Sequence, residues 1–340
     1  MRNGGQMMPE FLKPLEPYLP YILFFPGFFF LIKGADWLVE GASSIARRLN
    51  ISDLIIGLTI VSFGTSMPEL AVNIIASFQG SADLAVSNVV GSNIANILLI
   101  LGITALVRPI TVQSSTVWKE IPFSFLAVIA LFVVANDKLL DGSDSNILSR
   151  SDGLTIMMFF AIFMYYVVNL AMKGQADDLL EDLPEETLSV PKAIMFTVLG
   201  MIALPLGGDW IVDGAVTTAR ALDVGEDIIG LSIVAIGTSL PELAASVVAA
   251  RKGNSDIAVG NVVGSNIFNI FWVLGLSMTI RPIPFSNAAN LDLFIVMVAS
   301  LLLFLFVFVG KRHTLERSQG VVFLFFYVGY LVFRGFMGGS

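Results

Sequence analysis

The sequence contains no cysteine and only one histidine. This absence all but excludes structural zinc, haem ligation and thiol chemistry. Charged side chains are also scarce, at 14% of the 340 residues, whereas a soluble domain has about a quarter. The hydrophobic share is 56% and the mean hydropathy is +0.83. A chain of this composition is predicted to be an integral membrane protein.

Hydrophobic runs of about 20 residues, the length that crosses a bilayer, recur along the whole chain. They predict an all-α polytopic membrane protein with ten transmembrane helices. The predicted spans cover residues 19–46, 53–77, 83–106, 119–136, 153–172, 193–219, 226–250, 256–279, 289–310 and 319–336. Residues 1–18 form a polar N-terminal segment, in which we expect no cleavable signal peptide.

Two blocks of sequence occur twice, with a constant offset of 173 residues. The block GTSMPEL at residues 64–70 returns as GTSLPEL at 237–243. The block at residues 85–97 returns at 258–270 with two changes. An internal duplication of this kind, rich in polar groups inside hydrophobic segments, indicates a functional site rather than only a scaffold.

The duplication divides the predicted spans into two groups of five. The first five-helix repeat covers residues 19–172 and the second covers 193–340, and residues 173–192 form an acidic linker. Because five is odd, the second repeat enters the membrane from the opposite side, so the repeats have inverted topology. Loops after odd-numbered spans carry eleven Lys and Arg residues and the other side carries seven. This bias predicts that both termini are extracellular.

The repeated blocks also predict a broken helix in each half. Pro68 lacks an amide donor and clashes with the carbonyl of the preceding turn, which Gly64 weakens further. Pro241 and Gly237 do the same in the second half. We expect the break to leave carbonyls near Ser62 and Ala235 able to bind cations. Paired broken helices in inverted repeats are typical of secondary transporters with a site at the bilayer midplane.

Carboxylates, hydroxyls and carboxamides cluster around these breaks. Glu69 and Glu242 each follow a break proline directly, and ionisable residues inside a membrane are functional by default. Ser66 stands at the first break, and Asn88, Ser92 and Asn96 are spaced by four along the following span. The second half supplies Thr238, Ser239, Asn261, Ser265 and Asn269. Two carboxylates with many neutral oxygens form a ligand set that suits a hard cation such as Ca²⁺ or Na⁺.

Further acidic residues lie in apolar surroundings nearer the start of each half. Asp36 and Glu40 stand one helical turn apart and are mirrored by Asp209 and Asp213. They could line an ion pathway, or they could anchor their helices at the membrane interface beside the neighbouring tryptophans. The sequence leaves these two alternatives open.

The repeated motifs resemble those of the calcium/cation antiporter superfamily, and specifically those of prokaryotic sodium/calcium exchangers. GTS-x-PE followed by GN-x-x-GSNI-x-N occurs in both halves, except that Ser87 stands where the second copy has Gly260. The loop at residues 148–153 also resembles this family. The similarity extends from about residue 20 to the C-terminus.

This resemblance implies a ten-helix fold that exchanges several Na⁺ for one Ca²⁺ by alternating access, without a cofactor. Glu69 and Glu242 would be carboxylates shared by Ca²⁺ and Na⁺, and Asn96 and Asn269 would complete the centre. The flanking Na⁺ ligands would be Thr65, Ser66, Ser92, Thr238, Ser239, Ser265 and the carbonyls of Ser62 and Ala235. Several family members carry Asp at the position of Asn269, and this difference argues against K⁺ cotransport.

We therefore expect a Na⁺/Ca²⁺ antiporter in the plasma (inner) membrane of a prokaryote. Its partners would be the two ions and the lipid bilayer, with no nucleic acid and no obligatory protein partner. The nearest alternative is an H⁺/Ca²⁺ exchanger that uses the same glutamates. A cation channel fits paired broken helices less well than a carrier does. An enzyme is disfavoured because no nucleophile and base pair is evident.

Overall fold

The computed structural model describes residues 15, 17–80, 82–173, 188–225, 235–286 and 289–338. These residues are almost entirely helical. In chain order the helices are α1 (Leu19–Leu49), α2 (Asp53–Ile56, a π-helical stretch Gly57–Val61, and Ser62–Thr65), α3 (Met67–Gln79), α4 (Ala82–Ile94, π-helical Ala95–Ile100, and Leu101–Val107), α5 (Ser114–Trp118 and Glu120–Ala135), α6 (Asp137–Leu140), α7 (Arg150–Lys173), α8 (Val190–Ala221), α9 (Ala235–Thr238), α10 (Leu240–Arg251), α11 (Ser255–Ile267, π-helical Phe268–Leu274, and Gly275–Ile280), α12 (Ala289–Phe306) and α13 (Arg317–Gly338).

Eight of these helices are long and apolar enough to cross a membrane: α1, α4, α5, α7, α8, α11, α12 and α13. Helices α2 and α3 together pass the same test as a broken span with a bend of 47°. The predicted span 226–250 begins in residues 226–234, which lie outside the described residues, and continues as α9 and α10. The protein is therefore a helical integral membrane protein.

Several span ends differ from their predicted positions. The fourth span begins at Ser114, five residues before the predicted start at 119, and the ninth ends at Phe306, before the predicted end at 310. The early start reflects an extra helical turn, Ser114–Trp118, whose polar serines the hydropathy pattern does not mark. The early end falls where the chain turns ahead of Gly310, which has a positive φ of 80°.

The predicted helix breaks are confirmed in both halves. Helix α2 ends at Thr65 and α3 begins at Met67, while α9 ends at Thr238 and α10 begins at Leu240. Each proline lies in the first turn of the second segment, where a missing amide donor costs nothing. The glutamates are the next residues, so the break places each of them in the first turn of its helix.

Helices α1 and α8 pack along glycines spaced seven residues apart. A β-carbon added at Gly200 would lie 2.7 Å from the carbonyl oxygen of Gly34, and one at Gly207 would lie 2.7 Å from that of Gly27. One at Gly41 would lie 2.6 Å from the carbonyl oxygen of Ala193. Positions rise along α1 as they fall along α8, so these two helices run antiparallel. Small residues of this kind let membrane helices approach closely.

Helices α4 and α11 form the centre of the molecule. In the apolar windows of these two helices 78% and 94% of residues are buried, against 17% for α7 and 22% for α13. Two short antiparallel ladders join the halves at their loops. Strand β1 (Ile110–Thr111) pairs with β4 (Thr314–Leu315), and β2 (Ile147–Leu148) pairs with β3 (Ile283–Pro284).

Candidate ion-binding site

The site is organised around four asparagines at the contact between α4 and α11. The Asn93 Nδ2 group donates to the carbonyl oxygen of Asn266 at 3.1 Å. Asn96 Nδ2 donates to Asn266 Oδ1 at 3.0 Å, and Asn269 Nδ2 donates to Asn93 Oδ1 at 3.1 Å. All four side chains are almost fully buried. Because every bond joins one half of the chain to the other, this network fixes the two repeated motifs against each other.

Glu69 lies beside this network with no exposed surface. Its Oε1 atom accepts a hydrogen bond from Ser92 Oγ at 3.4 Å. The Asn88 side chain is bonded to the Glu69 carbonyl at 3.5 Å and to Asn73 Oδ1 at 2.7 Å. Ser92 and Asn88 lie four residues apart on α4, and this spacing predicts that they share one face of the helix. Both side chains do bond to Glu69 in the first turn of α3.

Glu242 is held by residues from both halves. Ser66 Oγ, at the break of the first half, donates to Glu242 Oε1 at 3.3 Å. Asn261 Nδ2 donates to the Glu242 carbonyl at 3.2 Å and to Ser246 Oγ at 2.9 Å. Thr65 Oγ1 donates to Asn261 Oδ1 at 3.1 Å. The broken helix α2–α3 therefore contacts the carboxylate of the opposite half directly.

Six buried side-chain oxygens of the residues predicted to form the site have no hydrogen-bond partner in the described part of the chain. They are Glu69 Oε2, Glu242 Oε2, Asn96 Oδ1, Asn269 Oδ1, Ser239 Oγ and Ser265 Oγ. Burying a carboxylate without a partner is costly unless a positive charge neutralises it. Two carboxylate, two carboxamide and two hydroxyl oxygens suit a hard cation, since Ca²⁺ takes about 6–8 oxygen ligands. Within the described residues, no three His, Asp or Glu side chains group as a metal cluster, so neutral oxygens dominate the donor set.

The two carbonyls predicted as ligands lie at the helix breaks. The Ser62 carbonyl accepts hydrogen bonds from the Ser66 amide at 2.9 Å and from the Thr65 hydroxyl at 3.4 Å. The expectation that the break frees this carbonyl is therefore wrong. In the second half the Ser239 amide donates to the Ile236 carbonyl at 3.1 Å, one residue after Ala235. The two breaks therefore differ in their backbone bonding.

The structure separates the acidic residues near the start of each half. Asp36 forms ion pairs with Lys252 at 3.2 Å and Lys33 at 3.7 Å. Asp209 and Asp213 instead line a small cavity, of about 80 Å³, that also touches Thr238 and both break prolines. This cavity lies directly beside the break of the second half.

Sequence reasoning missed four polar residues that the structure brings into the site: Asn73, Asn93, Ser246 and Asn266. Asn93 and Asn266 lie inside the repeated blocks, three residues before Asn96 and Asn269. Asn73 and Ser246 are also related by the offset of 173 residues. Polar residues that occur at matching positions in both halves could therefore have identified these four site residues. Spacing by four along one helix face leaves them out.

Comparison with known proteins agrees with this geometry. The chain matches the sequence profile of the family described as sodium/calcium exchanger protein over residues 19–169 and 192–336. It is 33% identical to the sodium/calcium exchanger MaX1 of Methanosarcina acetivorans, in a match that covers 92% of this chain and 97% of MaX1. It is 43% identical to the inner membrane protein YrbG of Escherichia coli over 263 residues, 75% of this chain and 78% of YrbG.

A solved structure of the sodium-calcium exchanger NCX_Mj has a similar fold. It superposes with a TM-score of 0.78 at 31% sequence identity, and the match covers 92% of this chain and 98% of that one. MaX1 and NCX_Mj are named as sodium/calcium exchangers rather than as enzymes. The family match spans most of the chain and includes both repeated motifs. The chain therefore belongs to the sodium/calcium exchanger protein family.

Proposed function

We propose that the protein is a secondary antiporter that exchanges Na⁺, three per cycle, for one Ca²⁺ by alternating access. The observation that carries this proposal is the set of six unpaired buried oxygens around Glu69 and Glu242. Two carboxylates balance the charge of one Ca²⁺. The hydroxyls beside each glutamate offer further oxygen positions for Na⁺ once Ca²⁺ has left.

The residues proposed to bind the transported ions come from both halves. Glu69 and Glu242 would be the shared carboxylates, with Asn96 and Asn269 at the centre. Thr65, Ser66, Ser92, Thr238, Ser239 and Ser265, with the carbonyls of Ser62 and Ala235, would complete the flanking positions. The ends of α2 and α9 support this assignment, because the carbonyl ends of half-helices attract cations.

We further propose ten spans arranged as two inverted five-helix repeats, 19–172 and 193–340, with an acidic linker at 173–192. The antiparallel contact of α1 with α8 supports the inversion, because these helices are sequence counterparts 173 residues apart. The distribution of Lys and Arg favours extracellular termini. The similarity to an inner membrane protein of Escherichia coli favours the inner membrane of a prokaryote.

Uptake of ⁴⁵Ca²⁺ by reconstituted vesicles tests the ion coupling. Vesicles loaded with Na⁺ should take up Ca²⁺ after dilution into Na⁺-free buffer, and vesicles loaded with K⁺ should not. Uptake driven by a pH gradient without Na⁺ would instead establish H⁺/Ca²⁺ exchange. Ca²⁺ flux that needs no counter-ion would indicate a channel.

A further inference from the structure

A further buried carboxylate lies outside the proposed transport site. Glu120, at the start of the long segment of α5, has no exposed surface. Its Oε1 atom accepts a hydrogen bond from the Tyr166 hydroxyl of α7. Its Oε2 atom is buried without a partner, and no described cation pairs with it. The adjacent Lys119 is exposed.

The other half of the molecule shows how an equivalent carboxylate is neutralised. Asp292 on α12 corresponds to Glu120 on α5, because the buried residues of the two helices match at a constant offset of 172. The matching residues are Glu120, Ile121, Ser124, Ala127, Val128 and Leu131 on α5 and Asp292, Leu293, Val296, Ala299, Ser300 and Leu303 on α12. One Asp292 oxygen accepts from the Tyr330 hydroxyl at 3.2 Å. The other pairs with Arg334 at 3.2 Å. Each carboxylate thus has a tyrosine, but only Asp292 has a cation.

A second unpaired oxygen accompanies Glu120. Thr116 lies four residues earlier on α5, is fully buried, and its Oγ1 atom has no hydrogen-bond partner. The helix is interrupted between these two residues at Lys119, where φ is −126° and ψ is −65°. The two oxygens are not bonded to each other. The Lys119 amide donates to the Ser115 carbonyl and the Phe123 amide donates to the Lys119 carbonyl, so the helical path continues past the interruption. Side chains four residues apart lie on one side of a helix, so one cation can bind both oxygens.

We propose that Glu120 and Thr116 form a binding site for a single small monovalent cation, of the Na⁺ class, that is separate from the transport site. The bound ion takes the place that Arg334 holds beside Asp292. The site carries one negative charge, so a monovalent ion leaves it neutral, whereas a divalent ion would leave a positive charge buried in a low-dielectric region. Only oxygen atoms are offered, and hard cations prefer them.

Equilibrium binding of ²²Na⁺ to the purified protein in detergent tests this proposal. The starting protein carries Glu69→Gln and Glu242→Gln, which remove the carboxylates of the transport site. Adding Glu120→Gln should lower the number of Na⁺ bound by one per chain, while the amide oxygen still accepts the Tyr166 bond. Thr116→Val should weaken this site about tenfold, as expected for loss of one ligand to a charged group.

Asp292→Asn is the matched control, because the Asp292 carboxylate already forms an ion pair with Arg334. It should leave the Na⁺ count unchanged. If the double variant at the transport site fails to fold, the same loss of one Na⁺ is expected on comparing the wild type with Glu120→Gln. A count that Glu120→Gln does not change, or that Asp292→Asn lowers equally, overturns the proposal.

Discussion

Glu69 and Glu242 are fully buried, and each has one oxygen bonded by a serine and one oxygen without a partner. Replacing either by glutamine keeps the shape and removes half of the charge that balances Ca²⁺. We expect Glu69→Gln and Glu242→Gln each to lower Na⁺-dependent Ca²⁺ uptake about a hundredfold or more, the cost of unbalancing a buried charge pair. The measurement is ⁴⁵Ca²⁺ uptake into Na⁺-loaded vesicles.

Asp144→Asn is the control for this experiment. It also replaces a carboxylate by an amide, but Asp144 lies exposed in a loop, so transport should not change. Size-exclusion profiles should show that all three variants remain folded. Uptake at the wild-type rate by a folded Glu242→Gln protein would contradict a site of two carboxylates.

The sequence predicted the residues that carry charge better than the residues that position them. Both glutamates stand out because a carboxylate inside an apolar segment is costly and is therefore retained for function. Asn93 and Asn266 do not stand out, since a carboxamide in a membrane helix equally serves helix packing. Their role depends on how α4 meets α11, which involves residues about 170 positions apart, so no local pattern contains it.

At the scale of elements, the contact between α1 and α8 depends on the absence of side chains. A β-carbon at Gly200 would lie 2.6 Å from the Leu38 amide nitrogen, a distance that real packing does not allow. Gly200→Ala should therefore force these helices apart and destabilise the protein by about 1–3 kcal/mol, as overpacking does. The measurement is the thermal unfolding midpoint in detergent.

Gly329→Ala provides the matched comparison on α13, because an added β-carbon there would meet nothing within 4 Å. Alanine also favours the helix over glycine, so this variant should unfold at the same temperature as the wild type or slightly higher. Equal midpoints for Gly200→Ala and Gly329→Ala would show that α1 and α8 are not closely packed in the membrane protein.

Helix breaks were predictable from sequence, whereas irregular turns within helices were not. Pro68 and Pro241 mark their breaks because proline removes a backbone donor and each stands four residues after a glycine that weakens the same turn. Proline alone does not suffice, since Pro26 and Pro205 lie inside the continuous helices α1 and α8. The π-helical stretches Ala95–Ile100 and Phe268–Leu274 carry no such residue. They begin one residue before Asn96 and Asn269, and π-helical turns are frequent at functional sites. Tertiary contacts at the centre, rather than local propensity, select this geometry.

At the scale of the whole molecule, the two halves are equivalent in sequence but not in surroundings. Asp36 is paired with Lys252, while its counterpart Asp209 borders a cavity next to Thr238. The duplication therefore predicts which positions correspond, and it does not predict the surroundings of each. Those surroundings depend on which residues of the opposite half pack against each helix, as Lys252 packs against Asp36.

The charge of the proposed site also determines how transport responds to voltage. With Glu69 and Glu242 as its only central carboxylates, the site is neutral with Ca²⁺ and carries one positive charge with three Na⁺. Each charge that crosses 100 mV is worth about 2.3 kcal/mol, which changes the Ca²⁺ ratio at equilibrium by more than about tenfold. In oriented vesicles, a K⁺/valinomycin potential that is negative inside should therefore accelerate Na⁺ entry coupled to Ca²⁺ exit. Voltage-independent exchange at two Na⁺ per Ca²⁺ would refute three Na⁺ per cycle and leave the carboxylate assignment standing.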